Sequence, residues 1–295
     1  MDIDTTRRQA DPGERVEAGP LPWRSVPSGT YAVAAVTLVL LTVGYFRTFH
    51  TLGRSWYHNA NYSHGFLIFP VFLFLVWRIR RELAETPLAP SWAGLVPLLA
   101  GVLLQVVGLR GDVAIFQGWS FVLVAVGLVW IWFGRTILRR LAFPLAFLLF
   151  MVPLFSWFIN DLSFRLKTIA AFGSVHLARA FGAEVTRQGM DLYLPTGMMT
   201  IEGACSGLNS LVALMALASL FAYMGTGSTV RRVVLFFCSI PVALTANIVR
   251  ITSLCVYAAV TNTERATGLF HDIGGFVLFS VALLLLAGVK RVLRC

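Results

Sequence analysis

Long uncharged runs alternate with short polar segments along the whole chain. Five of these runs contain no Asp, Glu, Lys or Arg, and they approach the length of about 20 apolar residues that a membrane-spanning helix needs. They are Ser91–Leu109, Ala114–Gly134, Leu141–Asn160, Ser206–Val230 and Val233–Val249. Three shorter runs, which extend into apolar flanks, are Tyr31–Phe46, Ser63–Trp77 and Ile273–Val289. We therefore predict about eight transmembrane helices.

The longest region outside these runs, Asp161–Ala204, combines two periods. Small and apolar residues recur on one helical face at Leu162, Leu166, Ile169, Gly173, His176 and Ala180. This spacing predicts an amphipathic helix at the outer membrane surface, with His176 packed or interfacial. Farther along, Leu192 and Leu194 alternate with Asp191 and Tyr193, which is typical of a strand. We expect a β-hairpin before the sixth span, which either caps a site, guides an extended peptide or only connects two helices.

Composition supports a membrane protein. The 295 residues are 57% hydrophobic and 13% charged, whereas a soluble domain carries about 25% charged residues. The predicted fold class is an all-α polytopic membrane protein. We expect residues 1–28 to form a disordered cytoplasmic tail and residues 29–295 to form a single transmembrane domain. The first apolar run begins too late for a signal peptide, so it is expected to remain as a membrane anchor.

The net charge of +10 comes from basic residues beside the spans. This placement points to the lipid bilayer as the partner and argues against nucleic acid. With eight spans and a cytoplasmic N-terminus, the inside segments hold 15 of the 24 Lys and Arg residues and the outside segments hold 8. The asymmetry predicts a multi-pass protein of the plasma (inner) membrane with both termini in the cytoplasm.

This topology brings three chemically capable residues to the outer, extracytoplasmic side. Cys205 begins the sixth span, Arg250 lies in the outer half of the seventh, and His271 begins the eighth. A helix N-terminus favours a thiolate. A charged side chain within a span costs at least ~2.5 kcal/mol on insertion scales and usually faces a partner or a wet cavity.

Each of these residues also has a structural interpretation. A cysteine beside glycine in a membrane helix usually serves packing, and a histidine at a helix start is often an interfacial residue. His64, in the first outer loop, either joins the site or anchors the membrane interface, and sequence alone favours the anchor. The convergence of Cys205, Arg250 and His271 favours a catalytic site over three incidental residues.

Three stretches together resemble the exosortase/archaeosortase family of membrane-embedded cysteine transpeptidases and proteases. They are Ala204-Cys205-Ser206-Gly207-Leu208, Ala246-Asn247-Ile248-Val249-Arg250 and His271-Asp272-Ile273-Gly274-Gly275. A fourth stretch, Tyr62-Ser63-His64-Gly65-Phe66, resembles the N-terminal half of bacterial exosortases. The resemblance runs from about Trp56 to Leu286. One departure is Asn209, where many members carry Arg.

The resemblance implies a catalytic Cys205, a general base or acid at His271, and Arg250 as the group that stabilises the oxyanion or orients the substrate. Asn247, Ser206 and His64 are candidate supporting or substrate-binding residues. The implied substrates are secreted proteins with a C-terminal sorting signal of PEP type, comprising a short motif, a hydrophobic helix and a basic tail. The sequence is compatible with both hydrolysis and transpeptidation.

Two other functions fit the sequence less well. The first alternative is a transporter or polysaccharide-export subunit that binds an anion through Arg250. The second is a catalytically idle scaffold. No inverted repeat of transporter type is evident in the sequence. No metal or organic cofactor is expected, because no ligand cluster is evident. Cys238 and Cys255 lie in apolar runs and are expected to pack as small hydrophobic residues, so a disulfide framework is not predicted.

Overall fold

The computed structural model describes residues 28–201, 207–261, 263 and 269–293. The predicted N-terminal tail therefore lies outside the described residues, apart from Ser28. Helices dominate the described part of the chain. Their bounds are α1 Ser28–His58, α2 Gly65–Arg78, α3 Arg80–Glu85, α4 Leu95–Arg110, α5 Ala114–Phe133, α6 Arg135–Phe147, α7 Ser156–Ala180, α8 Leu208–Met224, α9 Thr229–Val260 and α10 Leu269–Val292.

The helices confirm an all-α polytopic membrane protein. Among the described residues, five helical segments are long and apolar enough to cross a membrane, and the number rises to six if one bent pair counts as a single span. The five are Ala35–His58, Trp92–Arg110, Ala114–Phe133, Thr229–Val260 and Gly275–Val292. Helices α2 and α8, of 14 and 17 residues, are apolar but shorter. The predicted count of about eight included both of these and the bent pair.

The bent pair occupies the fifth predicted span. Segment Arg135–Met151 and helix α7 meet at an angle of 80°, across a break that contains Pro153. Proline donates no backbone hydrogen bond and disfavours helical geometry in the residue before it, so the helix ends here. Helix α7 consequently includes both the end of the predicted span and the predicted amphipathic helix.

Glycine permits close packing of helices α4 and α5. Gly94, Gly101 and Gly108 lie seven residues apart along the helical segment Trp92–Arg110, and all three face α5. A Cβ added at Gly127 of α5 would lie 2.6 Å from the backbone nitrogen of Leu98. Small residues let membrane helices approach until their backbones nearly touch, and dispersion forces then hold the pair together.

Buried polar contacts attach α1 to this pair. Gln105 of α4 donates from Nε2 to Thr48 Oγ1 at 2.7 Å, and Tyr45 and Ser120 share a hydrogen bond of 2.5 Å. Thr48 and Ser120 are fully buried. Such contacts replace water for groups that would otherwise be unsatisfied in an apolar environment. They determine how α1 sits against α4 and α5.

A three-stranded antiparallel sheet follows α7, where the sequence predicted a hairpin. The strands are β1 Thr186–Gln188, β2 Asp191–Leu194 and β3 Gly197–Thr200, in the order β1-β2-β3. The predicted alternation is confirmed: Leu192 and Leu194 are buried, and Tyr193 is exposed. Leu192 belongs to one apolar cluster with Ile251 of α9. The sheet is thereby attached to the end of α9 that lies near Arg250.

Basic residues gather at the end of the bundle opposite Arg250, and we call it the basic end. It comprises the C-terminal ends of α2, α8 and α10, helix α3, and the N-terminal ends of α6 and α9. The ion pair of Arg140 with Glu82, at 2.8 Å, and the contact of the Lys290 ammonium with the Phe221 ring, at 5.1 Å, connect these elements. The basic residues are Arg78, Arg80, Arg81, Arg135, Arg139, Arg140, Arg231, Arg232, Lys290 and Arg291.

The close packing of α4 and α5 leads to a stability prediction. Replacing Gly127 with Ala should lower the free energy of unfolding by about 1–3 kcal/mol, because the new methyl group would collide with the Leu98 backbone. Thermal unfolding of the purified protein in detergent measures the change.

The matched control is Gly44→Ala, since a Cβ at Gly44 would meet nothing within 4 Å. This variant should be as stable as the wild type or up to about 1 kcal/mol more stable, because alanine favours a helix interior over glycine. Equal losses in the two variants would contradict the packing argument.

Candidate active site

An open pocket of about 480 Å³ lies where the loop before α2 meets α8, α9 and α10. Its polar lining comes from segments far apart in the sequence, and apolar residues complete the wall. The lining includes Asn61, Ser63, His64, Asn209, Ser210, Arg250, Gly275, Phe276 and Phe279. Arg250 and His64, both predicted site residues, therefore share one cavity.

Arg250 lies against helix α10 at a position where no side chain intervenes. A Cβ added at Gly275 would be 3.1 Å from Arg250 Nη2 and 3.2 Å from Cζ. Because Gly275 has no side chain, the guanidinium can lie against the α10 backbone and still border the pocket. This location supplies what a charged residue in an apolar helix needs, namely a polar cavity in place of lipid.

His271 is the third residue of α10 and lies about one turn before Gly275. Its backbone is part of the helix, and its side chain lies outside the described residues. Positions four residues apart share a helical face and are separated by about 6 Å along the axis. Gly275, which contacts Arg250, therefore follows His271 by about one turn of α10.

Cys205 and Ser206 lie outside the described residues, but the chain that follows them is defined. Gly207 has a φ of +74° and precedes α8, in the left-handed region that glycine adopts without strain. A Cβ at Gly207 would lie 2.8 Å from Asn247 Cγ in α9. Gly207 follows the predicted nucleophile, Cys205, by two positions in the sequence.

Asn247 connects the Gly207 contact to the Arg250 contact. It is buried, with 5% of its surface exposed, and it precedes Arg250 by three residues on α9. Residues at this spacing are neighbours on one helical face. A continuous set of contacts therefore runs from Gly207 through Asn247 and Arg250 to Gly275. It joins Gly207 of the segment before α8 to Gly275 of α10 at the same end of α9.

His64 is held by the break between α6 and α7. Its Nε2 lies 3.0 Å from the carbonyl oxygen of Phe150. A carbonyl only accepts, so in this contact Nε2 carries the hydrogen and a neutral ring has its lone pair on Nδ1. Burial lowers the pKa of His64, while the Phe150 carbonyl and the Asn209 side chain act in the opposite direction. His64 thus lines the site, although the sequence favoured an anchoring role.

Sequence analysis missed two kinds of pocket residue. Asn209 and Ser210 line the pocket from the first turn of α8, and Gly275 receives the guanidinium from α10. Asn209 and Gly275 each follow a predicted catalytic residue by four positions in the sequence, and for Gly275 within α10 this is the spacing of one helical face. That spacing was the available signal. His176, in contrast, packs on Phe172 with ring centroids 4.4 Å apart and does not line this pocket.

Two further observations bear on what the site can do. A larger pocket of about 640 Å³ lies beside the sheet and is bordered by Arg179, Glu184 and Tyr193. No predicted catalytic residue lines it. Within the described ranges, no group of three His, Cys, Asp or Glu side chains is placed to hold a metal ion. The chemistry available in the smaller pocket is that of a guanidinium, an imidazole, two amides and hydroxyl groups.

The lowered pKa of His64 predicts an acid-dependent loss of stability. Below a pH of about 6.5, the unfolded chain binds this proton more readily than the folded chain does, so stability falls as the pH drops toward the folded pKa. The loss attributable to one proton is at most about 1.4 kcal/mol per pH unit. Thermal unfolding between pH 7.5 and 5 should show a shallower pH dependence in His64→Gln.

His176→Gln, which alters an exposed histidine, is the control and should keep the wild-type pH dependence. If His64→Gln retained the full dependence as well, the acid sensitivity would arise from another group.

Comparison with known proteins identifies the family. A family model described as transmembrane exosortase matches residues 56–288, which is well over half of the chain. No curated protein and no solved structure matches the chain. The match begins just before the loop that carries His64 and ends within α10, so it includes every element that builds the pocket. The protein therefore belongs to the transmembrane exosortase family.

Proposed function

We propose that this exosortase is a cysteine peptidase or transpeptidase that cleaves the C-terminal sorting signal of secreted proteins, with Cys205 as the nucleophile. One observation carries the proposal: Gly207 packs against Asn247 while Arg250 of the same helix packs against Gly275. These contacts join the backbone two residues after Cys205 to the backbone one turn after His271. They support a common site for residues separated by 66 positions in the sequence.

The proposed reaction starts with the Cys205 thiolate. His271 accepts the thiol proton, and the thiolate attacks the scissile carbonyl to give a tetrahedral oxyanion. The oxyanion collapses, the C–N bond breaks, and the leaving amine takes the proton from His271. A thioester acyl-enzyme remains. Water or an amine then attacks the thioester, which distinguishes a peptidase from a transpeptidase.

Arg250 is the candidate for charge stabilisation. A fixed positive group beside a developing oxyanion lowers the barrier more in a cavity of low polarity than it does in water. Removing one oxyanion donor from a protease costs about 10²–10³ in kcat. The contact with Gly275 supports this role, because it holds the guanidinium at the pocket wall before any substrate binds.

The substrate is proposed to reach this site from the extracytoplasmic side. By the positive-inside rule we expect the basic end in the cytoplasm and the pocket on the opposite side of the membrane. A secreted protein held by a C-terminal hydrophobic helix would present the residues before that helix at this level. Strand β3 ends at Thr200, five positions before Cys205, so an extended substrate segment beside the sheet would lie near the nucleophile.

A second function competes for the same pocket. A cavity bordered by Arg250 and polar side chains also suits a bound anion, as the transporter or polysaccharide-export hypothesis requires. The two functions make opposite demands on Cys205, since an anion site needs Arg250 and has no use for a thiol.

The nucleophile is tested by co-expressing the protein with a substrate that ends in a short motif, an apolar helix and a basic tail. Cys205→Ala and Cys205→Ser should both abolish processing of the tail, because neither side chain supplies a thiolate. Immunoblotting of the substrate measures processing, and membrane levels of the enzyme are measured in parallel.

Cys238→Ala removes a cysteine that lies within α9 and does not border the pocket. It should leave processing unchanged. Wild-type processing in Cys205→Ala would refute the cysteine mechanism, and it would favour the anion-binding alternative if Arg250→Ala were inactive.

The role of Arg250 is tested by comparing two substitutions. Arg250→Gln should lower kcat for tail cleavage by about 10²–10³, as expected for loss of an oxyanion donor. Arg250→Lys keeps the charge but loses the planar guanidinium, so it should recover only part of the rate. Single-turnover cleavage with purified enzyme separates the chemical step from substrate binding.

An effect confined to KM, with kcat intact, would assign Arg250 to substrate binding and contradict oxyanion stabilisation. Thermal unfolding of both variants in detergent shows whether the loss of rate reflects a loss of folded protein.

A further inference from the structure

A second pocket, of about 370 Å³, lies at the basic end, far from the candidate active site along helices α8 and α9. Its walls come from α6, α8 and the first two turns of α9. Phe143 and Tyr223 stack face to face, with ring centroids 4.0 Å apart and planes 4° apart, and they form one side. The α9 residues Val233, Phe236 and Phe237 form the other side. We call this pocket the lower groove.

The lower groove is open to the surroundings of the bundle. Val233 and Phe237 are 49% and 58% exposed, and both lie on a helix long and apolar enough to cross a membrane. In a bilayer, these side chains face acyl chains. The groove thus offers an apolar channel that is continuous with lipid along the side of α9.

Arg232 closes the groove at the basic end. It lines the pocket together with Thr229, and its Nε atom is buried with no hydrogen-bond partner among the described residues. A buried donor without a partner destabilises the folded protein, and more so when the group is charged. An external acceptor at this point would remove that cost, and a phosphate oxygen matches the geometry of a guanidinium.

The charge around the groove favours an anion. The basic end carries Arg78, Arg139, Arg140 and Arg231 in addition to Arg232, and Glu82, which lies near Tyr223, is paired with Arg140 at 2.8 Å. The positive charge at this end is therefore only partly balanced by protein groups. Basic pockets between membrane helices at this level are suited to anionic lipid headgroups.

We propose that the lower groove binds one anionic phospholipid. The phosphate accepts hydrogen bonds from Arg232 and is approached by Thr229, while an acyl chain runs past Val233, Phe236 and Phe237 toward the middle of the bilayer. Phe236 and Phe237 lie about one helical turn, or about 6 Å, deeper than Arg232 and Val233, as a chain leaving its headgroup requires. A free phosphate ion would contact only Arg232 and Thr229, and it would leave the apolar walls of the groove without a ligand.

The site is tested by native mass spectrometry of the full-length protein in detergent with equal amounts of phosphatidylglycerol and phosphatidylcholine. The wild type should retain phosphatidylglycerol preferentially. Arg232→Gln should weaken this binding about tenfold or more, as expected for loss of a charge-assisted hydrogen bond. Val233→Trp keeps Arg231 and Arg232 but fills the groove, and it should weaken phosphatidylglycerol binding as well.

The matched control is Arg231→Gln. Arg231 is the adjacent residue, carries the same charge, is exposed and does not line the groove. It should retain phosphatidylglycerol. Equal losses in Arg231→Gln and Arg232→Gln would show that binding is diffuse electrostatic attraction and would overturn the site.

Two further outcomes would also overturn the proposal. Equal retention of phosphatidylglycerol and phosphatidylcholine would remove the selectivity for anionic lipid. Displacement of phosphatidylglycerol by inorganic phosphate at millimolar concentration would identify a free anion as the occupant. Unfolding temperatures measured in lipid-free detergent show whether Arg232→Gln and Val233→Trp remain folded, so that a loss of lipid is attributable to the groove.

Discussion

The guanidinium of Arg250 imposes the strongest physical demand in this structure. A permanent charge in the middle of an apolar helix is tolerated only where a polar cavity or a partner replaces the lipid. Gly275 lets the group lie against α10, and the loop before α2 and the start of α8 supply polar side chains around it. Helices α8, α9 and α10 all contribute residues to the cavity that meets this demand.

The break in the fifth apolar run makes this convergence possible. A straight helix from Leu141 to Asn160 would have continued through the membrane, whereas the chain bends by 80° near Pro153. The bend exposes the Phe150 carbonyl to His64. It also directs α7 along α9, where the Thr252 hydroxyl lies 3.5 Å from the Ser174 carbonyl. One local backbone constraint therefore positions both the loop that lines the pocket and the sheet that leads to Cys205.

The two pockets differ in electrostatic character. In the candidate active site, the half-buried guanidinium of Arg250 shares the pocket with neutral amides and an imidazole whose pKa is lowered by burial. At the basic end, many arginines surround an apolar groove, and their charge exceeds that of the nearby acidic side chains. The same helix, α9, carries Arg232 in its first turn and Arg250 ten residues before its end. It connects the proposed lipid site to the proposed catalytic site, and the two sites have no residue in common.

The sequence by itself determined the class of the protein, the apolar segments, the strand alternation around Leu192, and the short motifs that carry the family resemblance. These depend on local periodicity and composition, which are readable along the chain. Only the tertiary structure decided that one run is broken, that a third strand joins the hairpin, and that His64, Asn209 and Gly275 border the cavity of Arg250. Such facts arise from packing between segments distant in sequence, and no local pattern encodes which glycine will face which side chain.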